Sequence, residues 1–385
     1  MTSVAPLSAL LDRLELLAAG GSRSPEELGR IVGVDLSQRA LDKAVEGVLL
    51  AIERIVVPPK AENDLPDSPE QAAEVLAAHP DRRDVRLLVG VLRDGEAICL
   101  LRQREHDEDD KVAEAVRDLT ELKELGIDTI LDPTVLGLGR YIPRIQRIAE
   151  QIDLNIVVAT GLYTYNEIPF QFHHTGPGLL FDVPEPLTEL FVKDLTEGIA
   201  DTGVRAGFLK CAIEEQGLTP GVERVMRAVA QAHVRTGAPI TVHTNPHTQS
   251  GLVAQRVLAE EGADLGKVVI GHSGDTTDVD YLCRVADAGS YLGMDRFGLD
   301  VLLPFEDRVA TVLELLRRGY AERMVLAHDA SCFIDWFDPE AKRQVVPRWN
   351  FRHISEDVLP ALLEGGASEA DIDTMLVANP RRYFE

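Results

Sequence analysis

From residue 107 onward the chain alternates short, almost continuously apolar runs with segments of helical period, and few folds accommodate that pattern. The apolar runs are IDTILD (127–132), LNIVVAT (154–160), RAGFLK (205–210), PITVH (239–243), VVIGH (268–272), YLGMD (291–295) and MVLAHD (324–329). Helical spacing covers 109–125, 141–151, 186–199, 222–234, 251–261, 278–287 and 306–317, and two further helices, 355–363 and 368–375, close the chain. Strands that are apolar on both faces and alternate with helices form a parallel sheet covered on both sides. Seven such units, with an eighth strand drawn from 85–92, predict an α/β fold of the (β/α)8 TIM-barrel type. A GxGxxG phosphate loop after the first strand is missing, which tells against a doubly wound dinucleotide fold.

The N-terminal part reads differently. Residues 1–83 are predicted to be mostly helical, an extra segment of unknown role ahead of a barrel domain at 84–385. Helices are expected over 7–18, 37–56 and 70–78. Ser24-Pro25-Glu26-Glu27 forms a capping box with proline at the first helical position, and a proline- and charge-rich linker spans 57–69. DVRLLVGVL and EAICLLRQ flank Asp94-Gly95 and predict a hairpin. His79 and His106 lie in polar, loop-like surroundings and read as surface residues.

Composition narrows the function. A net charge of −25 disfavours nucleic acid and anionic membranes, both of which recruit basic patches. The N-terminus lacks the basic region of a signal peptide, and no apolar run is long enough to cross a bilayer. The cysteines Cys99, Cys211, Cys283 and Cys332 are widely spaced without a CxxC, which suits a reducing cytoplasm.

In a barrel the C-terminal strand ends converge on one mouth. The residues expected there are Lys210, His243, His272, Asp295 and Asp329. Two neutral imidazoles and a carboxylate suit a divalent cation such as zinc, manganese or iron. Such a cation lowers the pKa of bound water and creates a hydroxide nucleophile, with Asp329 placed to take the proton. A lysine in an apolar strand needs a partner, a lowered pKa or a covalent modification. It also allows a Schiff-base lyase, although that chemistry has no use for paired histidines.

The stretches LDPTVLGLGRYIPRI, VVATGLYTYNEIPF, GFLKCAIEEQGLTPGVERV, HTNPHTQSGLVAQRVLAEEG, IGHSGDTTDVDYL, GMDRFGLD, HDASCFIDWF and ANPRRYF, in this order, resemble a phosphotriesterase-like lactonase of the amidohydrolase superfamily. The resemblance implies a binuclear centre of zinc, or of iron, cobalt or manganese. It implies hydrolysis of acyl-homoserine-lactone-like substrates, with promiscuous cleavage of organophosphate triesters, in a homodimer. By the same likeness Lys210 is the carboxylated lysine bridging two metals, His243 and His272 hold the more exposed one, and Asp329 binds the buried one and assists proton transfer. Tyr163 approaches the hydroxide, Asp295 and Arg296 line the lactone pocket, and Cys332, Phe333, Trp336 and Trp349 shape an apolar channel. The family opens its barrel with a His-x-His strand, and this chain contains no His-x-His; LVG stands near the expected place. Fewer than two metals, or a catalytically impaired barrel that binds a ligand or partner, is the alternative expectation.

Overall fold

The computed structural model describes residues 87–91, 97–101, 108–334 and 339–385, with side chains from 108 to 334 and from 342 onward. The chain divides into two compact units, Met1–Asp107 and Glu108–Glu385. In the first, β1 (Leu87–Val91) and β2 (Ala97–Leu101) pair antiparallel, Leu87 opposite Leu101 and Val91 opposite Ala97. The hairpin is as expected. The assignment of 85–92 to the barrel is not, since β1 takes β2 as its partner in a two-stranded sheet of its own. The expected helices at 7–18, 37–56 and 70–78 lie outside the described residues.

The second unit holds seven parallel strands: β3 (Thr129–Asp132), β4 (Asn155–Gly161), β5 (Phe208–Ile213), β6 (Ile240–Thr244), β7 (Val268–Gly271), β8 (Tyr291–Met294) and β9 (Met324–Leu326). Their order in the sheet is their order in the sequence. A doubly wound sheet reverses direction at a switch point, whereas strands added one after another on the same side curl toward a barrel. The fold is therefore of the TIM-barrel type, seen here as seven strands of a curled sheet with helices outside.

Local chemistry explains the helices. Between β5 and β6, the helix α1 (Pro220–Thr236) begins with the Thr219 hydroxyl accepting the Val222 amide and a proline in the first turn. It ends at Gly237, whose φ of 74° is left-handed, as a helix C-terminus favours. Val222, Val225, Met226, Val229 and Ala232 form the face buried against the sheet. All six residues of β5 are buried, as a strand covered on both faces requires. The C-terminal segments continue further than expected. A wide turn at Ile354–Val358 leads into the helix Leu359–Glu364, and another at Thr374–Ala378 leads into Asn379–Phe384. Pro360 and Pro380 explain both turns, since proline cannot donate to the preceding turn and a looser one absorbs the misfit.

Two strand ends differ from expectation. β5 runs three residues past Lys210, because Cys211, Ala212 and Ile213 are themselves buried and pair with β6 as far as Thr244. Lys210 therefore sits inside the strand, opposite Gly161 on one side and Thr241 on the other. Ala212, two residues on, pairs with His243, so Lys210 lies one layer deeper than that histidine. β9 stops at Leu326, which puts Asp329 in the following loop. Gly161 makes the approach of β4 and β5 possible: a Cβ there would come within 1.8 Å of the Lys210 carbonyl oxygen.

Candidate active site

The ends of β6 and β7 bring His243 and His272 together, both almost wholly buried. His243 Nδ1 lies 2.7 Å from His272 Nε2, the rings nearly perpendicular with centroids 4.4 Å apart. Each outer nitrogen meets a carboxylate. His243 Nε2 lies 3.0 Å from Glu214 Oε1, and His272 Nδ1 lies 2.8 Å from Asp295 Oδ1. Asp295 also accepts the His272 backbone amide at 2.9 Å and 3.0 Å, one contact to each oxygen, which fixes it as the acceptor. Burial pushes both imidazoles down to about 3, and the contact with His243 holds Glu214 down at about 2. At neutral pH the pair is therefore two neutral rings, His243 beside the Glu214 carboxylate and His272 beside Asp295, whose own pKa burial raises while the His272 amide lowers it.

Those partners determine the tautomers. His243 carries its hydrogen on Nε2 and His272 on Nδ1, so the two inner nitrogens, 2.7 Å apart, both present lone pairs. Two acceptors pointed at each other repel unless a donor or a cation lies beside them; the Tyr163 hydroxyl, 3.0 Å from His243 Nδ1, can act as such a donor, and a divalent cation would hold both. Carboxylate-backed imidazoles are the usual holders of a borderline divalent metal. The pair fits such an ion. Among the described residues no group of three or more His, Cys, Asp or Glu is arranged to hold a metal ion.

Tyr163 closes one side. Its hydroxyl lies 3.0 Å from His243 Nδ1 and 2.7 Å from the hydroxyl of Tyr165, and burial raises its pKa well above the usual phenol value. On another side Arg296 bridges two carboxylates, Nη1 donating to Asp275 Oδ2 at 3.0 Å and Nε to Asp329 Oδ2 at 3.3 Å. Arg308, 1% exposed, ion-pairs with the other oxygen of Asp275 at 2.7 Å and donates to the carbonyls of Gly274 and Leu303, tying the loop after β7 to the loop after β8. His272, Arg296 and Asp329 all adopt left-handed φ values, 61°, 62° and 55°. Non-glycine residues in that region mark local strain, and strain of this kind concentrates at functional sites.

Lys210 is buried, and burial lowers its pKa, while Asp329 and Asp295 act in the opposite direction. The anticipated residues of the last loop divide. Cys332 and Phe333 pack against the apolar cluster that includes Val112 and Leu119 of the helix Glu108–Glu124, and Trp349 is buried with its indole donating to the His328 carbonyl at 2.9 Å. Trp336 lies outside the described residues. Four residues were not singled out from sequence: Glu214, Tyr165, Asp275 and Arg308. Tyr165 could have been found from its spacing two residues after Tyr163. The others carried no local signal.

A curled parallel sheet with paired buried histidines, a buried lysine and carboxylates near one mouth defines a barrel of the TIM type with its polar site at the strand ends. Residues 99–384 match the phosphotriesterase family, and the chain belongs to it. Residues 26–124, overlapping that match over 99–124, match a family described as PPA1309-like protein. The solved phosphotriesterase of Mycobacterium tuberculosis is 59% identical, with a TM-score of 0.72 over 73% of this chain and 86% of that one. The aryldialkylphosphatase of Saccharolobus solfataricus is 41% identical over 281 residues, 72% of this chain and 87% of that protein. A structure described as organophosphate hydrolysis activity engineered from a weak promiscuous lactonase template is 32% identical, with a TM-score of 0.67 over 73% of this chain and 88% of that one.

Proposed function

We propose that the chain is a metal-dependent hydrolase that opens lactones of the acyl-homoserine-lactone type and cleaves organophosphate triesters as a side activity. The observation that carries this reading is the histidine pair, whose carboxylate partners turn two lone pairs toward each other. The aryldialkylphosphatase and lactonase-template relatives supply the substrate classes. A bound divalent cation, zinc, iron, cobalt or manganese, supplies a water that ionises near neutrality and polarises the oxygen of the scissile group.

The residues divide the work. His243 and His272 hold the cation. Lys210, whose pKa burial lowers, adds to carbon dioxide in its neutral form, giving a carbamate and a released proton; that carbamate and Asp329 would serve a second, deeper ion. Asp329, held by Arg296 through Oδ2, takes the proton of the attacking water. Tyr163, Asp295 and Arg296 shape the mouth where substrate enters.

The test measures metal per polypeptide by elemental analysis of the full-length chain, with lactone and phosphotriester hydrolysis assayed on the same sample. The expected result is bound metal and lactone turnover, lost on chelation and restored on reloading. No metal and no turnover after reconstitution with zinc, manganese or cobalt plus bicarbonate would overturn the reading. One feature favours a second reading, a barrel that binds a lactone-like ligand or a partner without turnover: no group of three or more His, Cys, Asp or Glu is arranged for a metal among the described residues, and the chain has no His-x-His. Tight lactone binding without hydrolysis would establish it.

A further inference from the structure

Glu214 follows β5 directly, and its carboxylate is itself held in place. Oε1 accepts from His243 Nε2 at 3.0 Å, while Oε2 accepts from Asn245 Nδ2 at 2.9 Å and from the Glu215 amide at 2.7 Å. Asn245 in turn follows β6 directly, so the contact spans two adjacent strand ends across 29 residues of sequence. The His243 ring is otherwise met by His272 at Nδ1 and by the Tyr163 hydroxyl, which lies nearer Nδ1 (3.0 Å) than Nε2 (3.4 Å), so Glu214 at 3.0 Å is the nearest acceptor to Nε2. Glu214 is thus the carboxylate that settles which nitrogen of His243 bears hydrogen.

We propose that Glu214 is the positioning residue of His243, holding the Nε2–H tautomer and turning the Nδ1 lone pair into the site. A neutral imidazole has two tautomers of similar energy, and a hydrogen-bond acceptor on one side selects between them. With Glu214 removed, His243 is free to carry its hydrogen on Nδ1 and donate it to His272 Nε2, 2.7 Å away. The two histidines would then satisfy each other and no longer call for a cation. Glu214 therefore decides between a self-bonded pair and a cation-holding one. Asp295 plays the matching part for His272 but also anchors the backbone of that residue, so replacing it confounds tautomer with fold. Glu214 is 19% exposed and carries no such second duty toward a neighbouring strand's backbone.

The inference deepens the hydrolase reading and rests on it for the role of the cation, but its first readout needs no metal. The full-length, chelated chain is labelled with 15N in the histidine rings, and long-range 1H–15N spectra report the tautomer of each. The His243 signals are assigned by their loss in His243→Gln. The expected result is Nε2–H in the native chain and in Glu214→Gln, whose amide oxygen still accepts, with a shift toward Nδ1–H in Glu214→Ala. Should the alanine variant fail to fold, Glu214→Ser, too short to reach Nε2, is read in the same way. Cobalt(II) alone is then titrated into each protein. Glu214→Ala is expected to bind about 10–100-fold more weakly and Glu214→Gln within about 3-fold of the native chain, the scale found for outer partners of ligating histidines. An unchanged His243 tautomer in the alanine or serine variant would overturn the proposal. If the tautomer shifts but the native chain takes up no cobalt, the hydrolase reading falls and the assignment of Glu214 stands.

Discussion

Arg308 is the largest fully buried side chain of the barrel unit, and it spends its donors on backbone and on one carboxylate. Its guanidinium reaches the Asp275 carboxylate and the carbonyls of Gly274, Leu303 and Leu299, three loop positions that otherwise have little in common. Breaking a buried pair by deleting one partner leaves the other charge without compensation, which is costlier than the pair is stabilising. Asp275 keeps Arg296, so the loss in Arg308→Met is expected at about 3 kcal/mol, toward the lower end for such deletions. Urea unfolding of the full chain measures it, and a loss below about 1 kcal/mol would show that Arg308 merely fills space. None of this was readable beforehand. An arginine in a helix that is amphipathic over 306–317 reads as solvent-facing until the fold shows which loops sit above it.

The elements themselves were far more legible. Each of the seven barrel strands falls on an apolar run, because a strand buried on both faces leaves an unbroken apolar stretch that a helix of period 3.6 does not. Strand ends were less legible where burial and polarity disagree: Lys210 reads as a terminus but is an interior residue, and Asp329 reads as a strand residue but lies past β9. Of the site, His243 and His272 were found because they stand at such ends, and Tyr163 only through the resemblance of VVATGLYTYNEIPF to the family. Glu214 and Asp275 were not, because their partners are 29 and 21 to 33 residues away and no local period links them. The helix Glu108–Glu124 offers a test on this scale. Burial, reinforced by Glu114 and Glu121, raises Asp118 to about 6 from an ordinary value of 3.8, with Arg117 and Lys342 opposing. A carboxyl held more tightly protonated in the folded state adds stability in full below 3.8 and loses it as pH rises through about 6. Asp118→Asn should therefore leave stability unchanged near about pH 4 and raise it by about 1 kcal/mol near about pH 7.5, a gain of roughly 2 °C in melting temperature. Thermal melts at the two pH values decide; an equal effect at both would refute the assignment.

At the scale of the molecule, 39 basic against 64 acidic residues leave a charge of −25. A field of that sign slows the approach of anions and leaves neutral substrates unaffected. For an uncharged lactone or triester, kcat/KM should change by less than about 2-fold between about 0.05 and about 0.5 M NaCl, while inhibition by an anionic product should strengthen as salt screens the repulsion. Inhibition constants measured across the salt series check this, and a neutral substrate that tracks salt as steeply as an anionic one would contradict it. The left-handed backbone at His272, Arg296 and Asp329 has a consequence for how such a chain can change. Strain of roughly 1–3 kcal/mol per residue is carried where glycine or asparagine would carry almost none. A selection for thermal tolerance alone would draw these three positions toward glycine and asparagine, and each step would dismantle the mouth of the barrel. Heat-hardened variants that remain functional should draw their gains from other parts of the chain, with these three residues left as they are.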